Sequence, residues 1–371
     1  MTGPARRGDG RVAKLKDVAD AANVSAAAVS RYLGGTLTLP QATAERIDAA
    51  VRRLDYRPNP HARNLSRGRS EMLGLVVPDI ANPFFARMAA EIEAAADLQG
   101  YGLLLCVTLN KIDREFEYLE RLRRNHIDGL VFMTNRPGGS RLTRVINEVG
   151  RVVLLDEDVP GSKVHKIFCE NERGGYLAAR HLLEAGHRWI AFIGGPKAML
   201  TTRERLAGYR RALRESSSDA ASVGECFGPY TPDFGRSAAE DLFARARAPT
   251  GIFVSSDEAL IGTLEAASAA GRRVPIDLSL VTFDDVGPLH LFSPPITAIR
   301  QPLAEMGRRS VDAVLMSDAG DALVERLPVS LIVRASVSAP PVDARKIKTR
   351  RARKHSSNFA PFSSIEPKEQ V

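Results

Sequence analysis

Cysteine and tryptophan are scarce in this chain of 371 residues, with 3 and 1 respectively, and aromatic residues make up only 6%. Cys106, Cys169 and Cys226 are odd in number and far apart, which excludes a secreted disulfide framework and a clustered zinc site. No apolar run approaches the roughly 18 residues of a membrane span. The opening MTGPARRGDGRVAKLKD is charged and has no apolar segment, so no secretory signal is expected and a cytoplasmic protein is. Catalytic signatures are missing too. There is no G-x-G-x-x-G at a strand–helix junction, no G-x-x-x-x-G-K-[ST], no H-E-x-x-H and no G-x-S-x-G. Nothing pairs a nucleophile with a base at a useful spacing, so no enzyme, cofactor or metal is expected.

Charge is present, and its placement is uneven. Residues 1–70 hold 13 Lys/Arg against 6 Asp/Glu, and residues 340–371 hold 8 against 3. The stretch between them, 71–339, holds 31 against 35. A slightly acidic body with basic ends suits a head that docks on phosphates and releases their counterions. A merely soluble surface with a basic tail is the alternative.

Residues 15–57 read as three short helices, LKDVADAAN, VSAAAVSRYL and QATAERIDAAVRRLDY. Leu15, Val18, Ala19 and Ala22 share one helical face, Ser25 suits an N-cap, and Gly34-Gly35 stops the second helix. Ile47, Ala50, Val51 and Leu54 repeat at i, i+3, i+4 and i+7. A tight turn between the first two helices is the helix-turn-helix plan. RPNPHARNLSRGRS follows as a basic linker, too short for a stable helix alone. From Met72 onward short apolar strands alternate with amphipathic helices: MLGLVVP, YGLLLCV, GLVFM and RVVLL, then a second series of KIFC, WIAFIG, GIFV and LSLVTF. Two such series predict two doubly wound parallel sheets, with ligands at the strands' carboxyl ends between them. From Val342 no periodicity is sustained, so 340–371 is expected to be a basic, disordered tail.

LKDVADAANVSAAAVSRYL, LDYRPNPHARNLSRG and LGLVVPDIANPFF together resemble the LacI/GalR family of bacterial transcription regulators. GGYLAARHLLEAGHRWIAFIGG, RERLAGY, FVSSDEALIGTLEAASAAGRRVPIDLSLVTFDD and PPITAIRQP extend the resemblance in the family's order, over roughly residues 14–336. It implies a basic arm (1–14), a helix-turn-helix domain (15–57), a hinge helix (58–70) and a two-lobed body (71–339) similar to periplasmic binding proteins. Lobe crossovers are implied near 168–171, 298–301 and 326–330. It also implies a homodimer that binds pseudo-palindromic double-stranded operator DNA and senses a small, sugar-like effector, with no membrane partner. The tail has no leucine heptad, so a dimer rather than a tetramer is expected.

Site residues follow from the resemblance. The recognition helix, Ser25–Leu33, presents Ala26 and Ala27 where side chains choose bases, and alanine can touch only thymine methyls. Arg31 is a candidate for bidentate guanine recognition, with phosphate contact as its plain alternative, and Ser25 and Ser30 suit capping and phosphates. Leu65 stands where the family's hinge wedges a leucine into the minor groove, beside Asn59 and Arg63. For the effector, Arg205 and Asp284 match cleft positions and are expected on opposite lobes. Phe84 and Phe85 are candidates for a stacking wall or core. Thr201, Tyr230, Asp257 and Asn82 are further candidates, whereas His181 and His187 read as structural. Glu170 replaces a common aspartate, Thr282 a common glycine, and Met199 an arginine of the purine-responsive branch, which argues against a purine. Two rival classes are a solute-binding protein, which would need export and no DNA head, and a sugar- or nucleotide-modifying enzyme, which turnover would reveal.

Overall fold

The computed structural model describes residues 13–57, 70–124, 127–216, 219–316 and 322–341. The head comprises α1 (Leu15–Ala22), α2 (Ala26–Leu33) and α3 (Gln41–Arg53). Val18, Ala19, Ala22, Val29, Ile47 and Ala50 form its small core. Asn23 ends α1 in the left-handed region, at φ 53°, a conformation asparagine tolerates better than most residues. Two residues later Ser25 starts α2, its Oγ accepting the Ala28 N–H at 3.2 Å. That short link sets the two helices across each other. Tyr32 donates to Asp48 at 3.2 Å and so ties α2 to α3.

Among the described residues the body holds twelve strands in two sheets. The first lobe contains β1 (Met72–Val77), α4 (Pro83–Leu98), β2 (Gly102–Val107), α5 (Ile112–Arg124), β3 (Gly129–Phe132), α6 (Ser140–Val149), β4 (Val152–Leu155) and β5 (His165–Cys169). The chain then passes into the second lobe through α7 (Asn171–Glu184), β6 (Trp189–Gly194), α8 (Leu200–Glu215), β7 (Ala221–Phe227), α9 (Pro232–Phe243), β8 (Gly251–Val254), α10 (Asp257–Ala269), β9 (Ser279–Phe283) and β10 (Thr297–Arg300). It returns to the first with α11 (Leu303–Met316) and β11 (Val324–Leu327), and β12 (Ser330–Ile332) ends in the second. The sheet orders are β11-β5-β4-β3-β1-β2 and β12-β10-β9-β8-β6-β7. All pairings are parallel except β10 with β12. The central strands are buried on both faces, as parallel strands under helices must be.

Two readings of the sequence need correction. KIFC does not open the second sheet: β5 pairs with β4 and β11 in the first. The link between β4 and β5 holds no helix, so the alternation looked broken one strand too early. Strands β7, β10, β11 and β12 were not legible either, because they are short or half-exposed edge segments. The hinge residues Asn59, Arg63 and Leu65 lie outside the described residues, as does the tail from 342. Among the described residues no helix is long and apolar enough to cross a membrane.

Helices α7 and α8 approach closely enough for backbone to touch backbone. A Cβ on Gly175 would fall 2.0 Å from the Arg205 carbonyl oxygen, and one on Gly208 would fall 1.9 Å from that of Glu172. Mid-helix, alanine ordinarily outperforms glycine by about 0.5–1 kcal/mol. Here overpacking against rigid backbone opposes that gain and costs about 1–3 kcal/mol or more. Gly208→Ala is therefore expected to destabilise the body, read as a lower urea midpoint with unchanged slope. A higher midpoint would contradict the close contact.

Candidate functional site

The head presents one exposed recognition surface. Ser25, Ala26, Ala27, Ser30 and Arg31 line α2 on its solvent side, while Val29 points into the core. The Arg31 carbonyl accepts both the Thr36 N–H, at 2.9 Å, and its hydroxyl, at 3.1 Å. The helix end is thereby closed, and only serine hydroxyls and the Arg31 guanidinium offer side-chain hydrogen bonds on this face.

A second site lies where strands of both sheets end. Arg205, on α8, is 3% exposed. Its Nε donates to Asn171 Oδ1 at 2.8 Å and its Nη1 to the Ser255 carbonyl at 2.7 Å. The guanidinium lies 3.6 Å from the centre of the Phe283 ring, and its Nη1 is 3.9 Å from Asp284 Oδ2. Gln301 Nε2 donates to Asp284 Oδ1 at 2.6 Å. Each partner leaves a strand end: Asn171 follows β5, Ser255 follows β8, Asp284 follows β9 and Gln301 follows β10. Asp156, at the end of β4, belongs to the first lobe and adds its charge from the other side of the cleft. Because β4 and β9 hold the same place in their sheets, Asp156 and Asp284 are equivalent residues, and both are left-handed, at φ 70° and 72°.

Arg205 and Asp284 were expected on opposite lobes. Both belong to the second, since α8 packs on α7 and Asp284 follows β9. A carboxylate that does bond across the cleft is Glu157. Its carboxylate accepts the Leu200 N–H at 2.6 Å, the Thr201 N–H at 3.3 Å and the Thr201 hydroxyl at 2.9 Å. Met199, at the N-cap, offers no side-chain bond, so a first-lobe carboxylate caps a second-lobe helix. Tyr230 shares a 2.9 Å hydrogen bond with Thr202. Asp257 opens α10, buried behind the Ser256 cap. Asn82 caps α4, accepting the Phe84 N–H at 2.8 Å. Phe84 and Phe85 are both buried, edge-to-face at 5.2 Å, in the main apolar cluster of the body, which favours the core alternative over a stacking wall. His187 bonds Thr250 Oγ1 and the Ser338 carbonyl, each at 2.9 Å. Thr282 donates to the Ser256 carbonyl at 3.2 Å, bracing adjacent strand ends.

The sequence reading missed Asp156, Glu157, Asn171, Ser255 and Gln301. VVLLDED carried the same signal as VTFDD, a carboxylate just after an apolar strand, and would have exposed the first two.

Burial dominates the electrostatics. It pushes the Asp156 carboxyl up to about 7, with Arg205 pulling down and Asp284 and Glu157 pushing up. It pushes Asp257 up to about 8, helped by Asp284 and Glu258. Asp284 is raised by burial against the opposing pull of Arg205 and Gln301. Burial works against the Arg205 charge as well, but Asp284, Tyr230, Cys169 and Asp156 outweigh it and keep the guanidinium charged. In the unfolded chain the two aspartates ionise near pH 4; in the folded chain they hold their protons to about 7 and 8. The folded state thus binds more protons across that interval, and their contribution to stability is lost as pH rises through it. The slope is about 1.4 kcal/mol per pH unit for each retained proton. Effector-free protein should lose stability between about pH 4 and pH 8. Asp257→Asn should lose less and be the more stable form at the alkaline end, as read by urea titration at each pH. Parallel pH profiles for parent and variant would refute this assignment.

Comparison with known proteins agrees with this architecture. Residues 14–59 match the model of bacterial regulatory proteins of the lacI family, and residues 179–337 match that of the periplasmic binding protein-like domain. The chain is 32% identical over 330 residues to the HTH-type transcriptional regulator DegA of Bacillus subtilis, covering 87% of this chain and 98% of that protein. It is 31% identical over 332 residues to the HTH-type transcriptional repressor CytR of Escherichia coli, covering 89% and 97%. The lac repressor dimer bound to operator and the anti-inducer ONPF is similar in structure, with a TM-score of 0.78 at 27% identity, covering 89% of this chain and all of that one. The regulator CelR in complex with cellobiose is also similar, with a TM-score of 0.66 at 29% identity over 87% and 99%. The chain belongs to the LacI family of bacterial transcriptional regulators.

Proposed function

We propose that the chain is an operator-binding repressor, working in the cytoplasm as a homodimer, whose DNA affinity is set by a small polyhydroxylated effector held between the lobes. The observation that carries this is the Arg205 cluster: an arginine and carboxylates converge at the strand ends of both lobes, and Glu157 joins one lobe to a helix of the other. Fixed donors and acceptors of this kind orient a ligand with several hydroxyls. An effector that binds one lobe arrangement more tightly shifts the population toward it, by no more than that difference in affinity. Structures of similar proteins hold cellobiose, or operator together with an anti-inducer, which supports a sugar-like class here.

The test is a thermal-shift screen of sugars, sugar derivatives, polyols and nucleosides, then operator binding with and without the hits. Arg205→Ala and Asp284→Asn should each abolish the effector response while leaving circular dichroism, dimer mass and nonspecific DNA binding near normal. Variants that no longer bind operator identify a corepressor; variants that bind it constitutively identify an inducer. Micromolar effector binding retained by both, measured by calorimetry, would put the pocket elsewhere.

On DNA, Arg31 is assigned to guanine and Leu65 to the minor-groove wedge. Arg31→Ala should cost about 1–3 kcal/mol and relax selection at one base position per half-site. Leu65→Ala should reduce operator bending and selectivity at the centre, with the salt slope nearly unchanged because no charge is lost. Equal affinity and equal bending by Leu65→Ala would overturn the wedge.

A further inference from the structure

The cleft contains more acceptors than donors, and that imbalance constrains the effector's charge. Asp156 and Asp284 interact with one guanidinium, Arg205, and two further carboxyl groups adjoin them, Glu157 beside Asp156 and Asp257 beside Asp284. The neighbouring Asp158 stands apart from them, because its carboxylate is already paired with Lys166 at 2.6 Å. Glu157 is answered by the N–H groups of α8, and Asp284 by Arg205 and Gln301. Asp156 Oδ1, Gln301 Oε1 and Ser255 Oγ are buried without a hydrogen-bond partner, and their residues are 8%, 5% and 0% exposed. The Gln301 amide oxygen can only accept, and so can Asp156 Oδ1 once it is ionised. Native proteins seldom leave such atoms unanswered, so their grouping marks a place that something fills.

Arg205 is partly committed, and its Nη2 remains to meet a ligand oxygen. Its Nε and Nη1 are committed to Asn171 and Ser255, and one face of the guanidinium lies on Phe283. A phosphate or carboxylate here would meet four carboxyl groups. A neutral sugar would answer the lone acceptors but would leave Asp156 and Asp257 holding protons. A cavity of about 690 Å³ lined by Glu170, Arg173, Tyr176, Arg180, Arg211 and Arg326 contrasts with this. There Arg211 pairs with Glu172, and Arg326 with Glu204 at 2.7 Å, so little charge is unanswered.

Resting on the cleft reading above, we propose that the effector is cationic: an amino sugar or aminopolyol whose ammonium group sits among Asp156, Asp257 and Asp284. Its hydroxyls meet Gln301, Ser255 and Arg205. An ammonium brings three donors and no acceptor, which matches the deficit, and it lets the surrounding aspartates ionise.

The test is calorimetry on the full chain with ligand sets that share a skeleton. One set is glucosamine, glucose, N-acetylglucosamine, gluconate and glucose 6-phosphate; a second is the same series on galactose; a third is glucamine with sorbitol. An amine should bind at least about tenfold more tightly than its hydroxyl and N-acetyl counterparts, with no binding by the anions. Asp257→Asn should weaken the amine at least about tenfold and the neutral members by less than about threefold. That variant removes a carboxyl whose burial is unfavourable, so it is expected to fold, and its melting temperature is the control. A neutral or anionic member binding as tightly as the amine, or no amine binding at about 10 mM, overturns the proposal. A neutral sugar whose binding is lost in Arg205→Ala and Asp284→Asn would overturn the charge preference while keeping the cleft. A ligand whose binding survives both would displace the cleft itself.

Discussion

A guanidinium removed from water must find its partners inside the protein, and the second lobe is arranged to supply them to Arg205. Leaving such a charge unpaired costs several kcal/mol, so its surroundings must be accurate rather than merely polar. Accuracy begins with two glycines. Gly175 and Gly208 let α7 and α8 meet backbone to backbone, which brings Asn171 at the start of one helix within 2.8 Å of Arg205 on the other. The sheet beneath provides the rest: the Ser255 carbonyl from the end of β8, the Phe283 ring from β9 and Asp284 immediately after it.

The same helix carries the contacts between lobes. Arg205 lies on α8, whose first turn is capped by Glu157 of the first lobe. Its neighbour Glu204 receives a bidentate ion pair from Arg326 on β11, with both bonds 2.7 Å long. A cap contributes about 0.5–2 kcal/mol. Arg326 is 43% exposed at its side chain, so its pair contributes at most about 1 kcal/mol. Together these match the roughly 1–3 kcal/mol typical of allosteric coupling. A ligand touching Arg205 therefore acts on the element whose cap and ion pair depend on lobe geometry, and it needs only a modest difference in affinity to shift them.

Much of this was legible in the sequence, and the failures have physical causes. The head was readable because Val18, Ala22, Val29 and Ile47 keep helical spacing and Ser25 marks a boundary. The lobes were readable because parallel strands buried on both faces are unbroken apolar runs. Periodicity alone put the boundary before KIFC because β4 and β5 are joined without a helix; the crossover near 168–171 came only from the resemblance. Arg205 and Asp284 were picked out by resemblance, but placing them on the same lobe required the path of the chain, which spacing does not encode. Phe84 and Phe85 follow the N-cap Asn82 and are buried in the main apolar cluster; a doublet of aromatics at a helix start is ambiguous until the sheet beneath it is known. VVLLDED marks Glu157 as a carboxylate at a strand end, but its partner could not be read. A carboxylate that caps a helix 43 residues further along the chain leaves no local pattern of that pairing.

The symmetry of the two sheets explains why the site is acidic on both sides. Asp156 and Asp284 end equivalent strands in the same left-handed conformation, which costs less for aspartate than for most residues but is not free. Two aspartates brought together in this way repel each other, and one buried arginine cannot neutralise them together with Asp257 and Glu157. The remaining charge must be met by protons or by a ligand. Burial raises the Asp156 and Asp257 carboxyls to about 7 and 8, so any ligand that approaches these groups competes with protons as well as with water. In the structure Asp156 lies within electrostatic reach of Asp284, and Glu157 caps α8 across the lobes. Ligand charge, proton occupancy and lobe position are therefore parts of one equilibrium, in which a change in any of them alters the others.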